Sequence, residues 1–429
     1  MAFQQGLSGL NAASKALDVT SNNVANSATV GFKSAQTHFA DVFANTLNGS
    51  GASAVGIGTS VNAIAQQFTQ GNVTATNNPL DIAINGNGFF RMSSSGAISY
   101  SRNGQFHLDK EGFIVDDQQR KLTGFQAASG TISGALGELQ IDSSQISPNL
   151  SSKVSIGANL DSRMTEPLSP LVAGGLTPTL PSGFSAPDVD RYNSSTSLNV
   201  YDSLGNPHVA TYYFVKSATP STWNVLMTVD NGVNNGGVIT QVAQLVFDEY
   251  GQLESTTPTA AGLPVGNILN VDIGWDAALG VADQDLAFDF SDISQYGSEF
   301  SVDKLGQDGY TTGSLAGINI GKDGVIRGNY SNGQVNDLGQ VALTNFTNPN
   351  SLASIGNNQW EETSGSGPAM VGAPNSGRLG VLQSSAVEES NVDLTAELVN
   401  MITQQRNYQS NAQSIKTQDQ IMQTLVNLR

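Results

Sequence analysis

The chain has 429 residues, past the size at which one hydrophobic core stops growing, so several domains are expected. Only 13% of residues are charged, about half the roughly 25% of ordinary globular chains, yet 38% are apolar and 7% aromatic, which excludes global disorder. Eighteen basic against 36 acidic residues give a net charge of -18, a surface that repels phosphate backbones and anionic headgroups and argues against nucleic-acid binding.

In chain order, the first element is a helix. Phe3, Leu7, Leu10, Ser14, Leu17, Ser21 and Val24 alternate at spacings of four and three, the period of a heptad seam. Alanines at 2, 12, 13 and 16 widen its apolar face. Asn22, Asn23 and Asn26 raise the polarity, and Val30-Gly31-Phe32 reads as the turn out of the helix.

Short alternating runs follow, separated by Gly, Asn and Asp turns. Leu80 to Ile84, Asn85-Gly86-Asn87-Gly88 and Phe89-Phe90 predict a hairpin. Ile98 to Ser101, Arg102-Asn103-Gly104 and Gln105 to Leu108 predict a second, and Asp109 to Gly112 turns into Phe113 to Val115. Leu198 to Val200 should meet Val209 to Val215 across Ser203-Leu204-Gly205-Asn206-Pro207. Trp223 to Val229 and Gln241 to Phe247 read as strands, and Ile318 to Ile320 with Val325 to Arg327 as a hairpin. Pro- and Gly-rich stretches at 164–187 and 365–377 read as linkers or long loops, and no long helix is expected between Asn45 and Glu388.

The last element is the clearest. Leu394, Leu398, Met401, Gln405, Tyr408, Ala412, Ile415, Asp419, Met422 and Val426 form a second heptad seam, with no Gly or Pro from Ser390 to Arg429. A helix of about 36 residues would run roughly 54 Å. Asn391 or Asp393 is placed to cap it, with Glu397 in the first turns. A narrow seam wants a partner helix, so the two ends are expected to pair with each other and then with neighbouring copies.

The expected fold is therefore multidomain and mainly β with α-helical termini, as nested discontinuous domains. Residues 1–70 with 388–429 form a coiled-coil-like inner domain, 71–145 with 304–387 a first β-rich domain, and 146–303 an outer β-rich domain. The charge follows this division, since residues 146–303 hold four basic and seventeen acidic residues.

Motifs for chemistry fail in turn. The chain has no cysteine, hence no disulfide or thiolate site. His38, His107 and His208 lie far apart in unlike segments, without metal-ligand spacing. There is no G-x-S-x-G elbow, Gly321-Lys322 is followed by Asp323, and Gly56-Ile57-Gly58 lacks a third glycine. The acidic cluster Asp272, Asp276, Asp283, Asp285, Asp289 and Asp292 is the best alternative, for glycoside hydrolysis or calcium. After Asp283 and Asp285, however, Ala287 and Phe288 stand where ligand and glycine belong in an EF-hand loop, and Leu286, Phe288 and Phe290 alternate like a strand with one solvated face. No stretch approaches the roughly 18 apolar residues of a membrane span. Polar residues interrupt the first segment too early for a secretory signal, so the expectation is a cytoplasmic chain or export by another route.

Several motifs together resemble the bacterial flagellar rod and hook family. They are Gly9-Leu10-Asn11-Ala12-Ala13, Ser21-Asn22-Asn23-Val24-Ala25-Asn26, Val30-Gly31-Phe32-Lys33 and Phe39-Ala40-Asp41-Val42-Phe43. Asn78 to Ile84, Asn87 to Phe90 and Tyr100 to Phe106 follow in order, and at the far end Ser390 to Leu394, Gln405 to Tyr408 and Thr417 to Asp419. Across the middle the likeness rests on Val200 to Gly205. The ends are shared by hook and distal rod members; the large acidic insert, Phe39 to Phe43 and Gln67-Phe68-Thr69 look like hook.

The resemblance implies a structural subunit of a curved helical tube, a flexible universal joint carrying torque from rod to filament. It also implies flagellar type III export and, as partners, other copies of the chain, the distal rod protein, the hook cap protein and the hook-filament junction protein. It implies no cofactor, no catalysis and no membrane insertion. The assembly residues would be Phe3, Leu7, Leu10, Leu17, Val24, Leu394, Leu398, Met401, Tyr408, Ile415, Met422 and Val426. A distal rod subunit, a hydrolase using the acidic cluster, and a non-flagellar extracellular binding protein are the other readings.

Overall fold

The computed structural model describes residues 2–42, 56–128, 130–168, 189–230, 240–257, 268–273, 275 and 279–427. Phe43, Asp276 and most of the 164–187 stretch lie outside these residues. The chain forms two compact units: residues 1–143, 316–329 and 335–429 make the first, and 144–315 with 330–334 the second. In chain order the second is thus inserted into the first.

The first unit opens with helix α1 (Ala2–Ala25) and the long hairpin of β1 (Ala35–Val42) and β2 (Gly58–Gln66), and closes with helix α2 (Leu394–Asn427). Between them lies a large sheet whose central strands are Phe89–Ser94, Ala97–Ser101 and Lys121–Ala128. In its core Phe68 packs edge-to-face on Phe89 and Trp360, Phe89 on Trp360 and Phe346, and Phe346 on Tyr100, ring centroids 4.8–6.0 Å apart.

Three local expectations are corrected here. Strand Ile82–Asn85 does not form a hairpin with Phe89–Ser94; it pairs with Val381–Ser384 from the other end of the chain. Gly86 and Gly88, at φ +113° and +130°, carry the chain away, and a Cβ at Gly380 would fall 2.4 Å from the Asn85 carbonyl. Likewise Arg102-Asn103-Gly104 is not a hairpin turn. Ala97–Ser101 pairs with Phe89–Ser94 and Gln359–Glu361, while His107–Leu108 pairs with Ile114–Val115. Gly104 instead presses on strand Ile82–Asn85, its carbonyl accepting from the Ile82 amide at 2.9 Å. Within 365–377, read as a loop, Met370–Gly372 is a short strand on Leu343–Asn345.

The second unit is a sandwich of two five-stranded sheets. One is a meander from Ser194–Tyr201 through Pro207–Lys216, Thr222–Val229 and Thr240–Phe247 to Leu253–Thr257. The other is built around Lys153–Asp161, parallel to Asp285–Asp289 and Ser294–Tyr296 and antiparallel to Ser301–Gln307, with Ile268–Asp272 at its edge. One core cluster draws on both, including Tyr212, Phe214, Trp223 and Met227 from the first and Ile156, Leu160, Leu286 and Phe288 from the second. Each of the Phe, Leu, Ile and Met side chains among them contributes about 1.5–3 kcal/mol by burial.

Candidate functional site

The two terminal helices pack on each other antiparallel: a Cβ at Gly6 would fall 3.0 Å from Ile415 Cγ1, and one at Gly9 would fall 2.9 Å from the Asn411 amide. The face α1 buries is therefore its small one. Gly6, Ala12, Ala13, Ala16, Thr20 and Asn23 are buried, shared between α2 and the β1–β2 hairpin. On the hairpin side the Gln5 amide donates to the Gly56 carbonyl, and Ser8 Oγ accepts from the Thr59 amide at 3.3 Å.

The apolar seams lie elsewhere. Phe3 is 52% and Leu7 45% exposed, while Leu10, Leu17 and Val24 are half-buried. On α2, Leu394, Leu398, Tyr408, Met422 and Val426 are exposed, Met401 and Ile415 half-buried. Of the seam residues on α2, Ile415 packs against α1, at Gly6. Val399, Ile402 and Ile421, outside the seam, are exposed as well. A single chain thus leaves apolar side chains of both helices exposed.

What holds the helix pair to the sheet is a buried charge cluster. Lys33 Nζ lies 2.6 Å from Glu388 Oε1 with neither side chain exposed, and Arg102 Nη1 lies 3.1 Å from Glu388 Oε2. Lys33 also donates to the Thr69 carbonyl at 2.7 Å, Arg102 to that of Gly86 at 2.9 Å, and the Gly71 amide to Glu388 Oε1 at 2.9 Å. Burial lowers the Lys33 ammonium below the usual lysine range, Glu388 opposes this and Arg102 adds to it. Burial lowers Arg102 too, against the pull of Glu388.

Two asparagines complete the anchor. Asn23 brackets Ala35, donating to its carbonyl at 2.8 Å and accepting from its amide at 2.9 Å. Asn391 does the same between segments, accepting from the Ser34 amide and donating to the Gln67 carbonyl, both at 2.7 Å. The cap of α2 is accordingly Asp393, which accepts from the amides of Thr395 and Ala396 at 2.9 and 3.1 Å. The sequence marked Asn23 only as a polar residue near the helix end and offered Asn391 as an alternative cap of α2, a task that falls to Asp393 alone.

The acidic cluster of the second unit is dispersed. Asp272 and Asp285 face each other across paired strands, Asp289 accepts from Ser291, and Asp292 pairs with Lys304 at 2.7 Å. Leu286 and Phe288 alternate inward on that strand. Among the described residues no three His, Asp or Glu side chains are grouped to hold a metal ion. His208 sits between Asp230 (2.6 Å) and Asp202 (3.2 Å) and against Trp275, a local tie at the strand ends.

Known proteins match this chain from end to end. Family models match at residues 3–33 (flagella basal body rod protein), 83–159 (flagellar hook protein FlgE/F/G D1 domain), 159–310 (flagellar basal body protein FlaE D2 domain) and 383–428 (flagellar basal body rod FlgEFG protein C-terminal). Flagellar hook protein FlgE of Salmonella typhimurium is 42% identical over 434 residues, covering 100% of both chains. The chain belongs to the flagellar hook protein family. The hook proteins FlgE of Escherichia coli K12 (41% identical, 100% of both chains) and Borreliella burgdorferi (32%, covering 99% of this chain and 98% of that one) are similar over the same span. The crystal structure of Helicobacter pylori hook protein FlgE2 shares the fold, with a TM-score of 0.52 at 16% identity over 73% of this chain and 100% of that one. As a hook-family chain this is a structural protein of the bacterial flagellum, located in the hook.

Proposed function

We propose that the chain polymerises through the exposed faces of α1 and α2 into a curved tube, the universal joint that carries torque from rod to filament. The observation behind this is that the helices are already paired in one chain and still expose Phe3, Leu7, Leu398 and Met422. A face left over after intrachain pairing is available to a neighbour, and a head-to-tail contact that does not close makes a helical polymer. The twelve seam residues from Phe3 to Val426 are the assembly set. Residues 1–70 with 388–429 act as its inner domain, 71–145 with 304–387 and 146–303 as outer domains.

Distal rod, hook cap and hook-filament junction proteins are the expected neighbours, and flagellar type III export the expected route. Catalysis has no part in this reading. Electron microscopy of the full-length chain, concentrated in a salt that strengthens apolar burial, tests it beside the Leu7→Asp and Leu398→Asp variants. Tubes from the parent alone are expected. Tubes of normal yield from both variants would remove the helix faces from assembly.

A further inference from the structure

Four Asn-Gly pairs lie among the described residues, at 85–86, 87–88, 103–104 and 332–333. Such a pair carries chemistry of its own. The glycine amide nitrogen can close a five-membered ring onto the asparagine Cγ, and glycine has no Cβ to obstruct the closure. Two conditions govern it in a folded chain: the carboxamide must be free to turn, and the glycine amide must not be engaged as a donor.

Three of the pairs are held. Gln70 spans the first, its Nε2 donating to Asn85 Oδ1 at 3.3 Å and its Oε1 accepting from the Gly86 amide at 3.0 Å. Asn103 Oδ1 accepts from the Gln105 amide at 3.1 Å, and Gly104 is buried against strand Ile82–Asn85. Asn332 Nδ2 donates to the Thr311 carbonyl at 2.6 Å, while its Oδ1 accepts from the Gln334 amide at 3.1 Å. The Gly333 amide is also engaged, donating to the Tyr330 carbonyl at 3.0 Å. Asn87 differs. It is exposed, and among the described residues neither its carboxamide nor the Gly88 amide has a hydrogen-bond partner.

We propose that Asn87-Gly88 is a self-modifying site, deamidating in water without an enzyme. Hydroxide takes the proton of the Gly88 amide, and the nitrogen attacks Asn87 Cγ. The Cγ–Nδ2 bond breaks, Nδ2 takes a proton from water and leaves as ammonia, and a succinimide ring remains. Water then opens the ring. Addition at Cγ gives aspartate; addition at the main-chain carbonyl carbon gives isoaspartate, whose main chain runs through Cβ and is one atom longer. Either product puts a carboxylate where a neutral amide stood.

The position gives the reaction a consequence. Residues 86–88 carry the chain from strand Ile82–Asn85 to Phe89–Ser94, through glycines at φ +113° and +130°. In that crossing the Gly86 carbonyl accepts from Arg102 at 2.9 Å, and the Asn87 carbonyl accepts from the Gly380 amide at 2.7 Å. Isoaspartate takes the second carbonyl out of the main chain and lengthens the crossing. It thereby loosens the support of Arg102 beside Glu388.

The test ages the full-length chain in mildly alkaline buffer and follows each Asn-Gly peptide by mass spectrometry, with electron-transfer fragmentation to separate isoaspartate from aspartate. Asn87 should convert at least tenfold faster than Asn85, Asn103 or Asn332. Gln70 is exposed, and Gln70→Ala should speed Asn85 at least threefold while leaving Asn87 unchanged. Chain aged until residue 87 is converted should exchange hydrogen faster at residues 386–391. Equal rates at all four pairs, the mark of reaction through the unfolded chain, would overturn the proposal. An Asn85 rate indifferent to Gln70 would overturn the hydrogen-bond account of the difference. Unchanged exchange at residues 386–391 would overturn the link to the buried cluster.

Discussion

Glu388 accepts the Lys33 ammonium at 2.6 Å across 355 residues of sequence, with both side chains out of water. The same carboxylate holds Arg102, so one buried anion faces two buried cations and ties the exit of α1, the entry to α2 and the sheet at a single point. The unequal count predicts unequal mutants. Glu388→Gln strands two cations and should destabilise the first unit by about 3–5 kcal/mol. Lys33→Met leaves a matched Arg102–Glu388 pair and should cost clearly less. Hydrogen exchange at residues 386–391 is the measurement, and equal losses of protection would contradict the one-anion, two-cation account.

Gly31 enters the same point with φ +71°, and a Cβ there would fall 2.6 Å from the Asn103 amide nitrogen. Its own amide donates to the Glu388 carbonyl at 2.8 Å. Gly31→Ala therefore combines left-handed strain, on the order of 1–3 kcal/mol, with a backbone clash that no rotamer relieves. The helical circular-dichroism signal, which comes from α1 and α2, should melt at a lower temperature in this variant. An unchanged midpoint would mean that the turn has room the geometry does not show.

Periodicity made both helices legible, and alternation made strands such as Thr222–Val229 and Thr240–Phe247 legible, because each is a local property of the chain. Pairing across the whole sequence left no local trace. Nothing near Ile82 announces Val381–Ser384 as its partner, and the Asn-Gly repeat between Ile84 and Phe89 imitates a hairpin turn. The buried face of α1 was half legible, since the alanines at 12, 13 and 16 belong to the apolar face the sequence showed, but its glycines were hidden for a different reason. Hydropathy ranks Leu7 and Leu10 above Gly6 and Gly9, but two helices approach closely where side chains are small. Lys33 and Glu388 were hidden because charged residues near turns ordinarily face water, and burial depends on a partner 355 residues away.

Asn391 and Asp393 are neighbours with different tasks, and separate substitutions should show it. Asn391→Ala leaves the Ser34 amide and the Gln67 carbonyl without their partner, about 1–3 kcal/mol for each group left buried. Its effect should appear as faster proteolysis of the hairpin around residues 35–66. Asp393→Ala removes an N-cap, typically about 1 kcal/mol, and should fray only the first turn of α2. Identical cleavage patterns for the two variants would argue against a clamp at Asn391.

In the second unit, Arg163 wraps Asp161. Its Nε and Nη2 donate to the two carboxylate oxygens at 2.9 and 2.8 Å, and its backbone amide adds a third bond at 2.9 Å. The side-chain bonds come first and the backbone bond second in lowering the carboxyl from 3.8 to about 2. Because the folded value lies below the unfolded one, the contribution to stability is present above about pH 4, where the unfolded carboxylate is ionised. It is lost as pH falls through about 2. Arg163→Gln keeps the backbone bond and removes the guanidinium, so the Asp161 carboxyl should move up toward 3.8 without reaching it. The acid-unfolding midpoint of the variant should move up in pH with it. Carbon-detected NMR titration of Asp161 in the full chain reads the first effect directly. A carboxyl that titrates alike with and without Arg163 would show that the guanidinium, which is 60% exposed, is held too loosely by the solvated turn to matter.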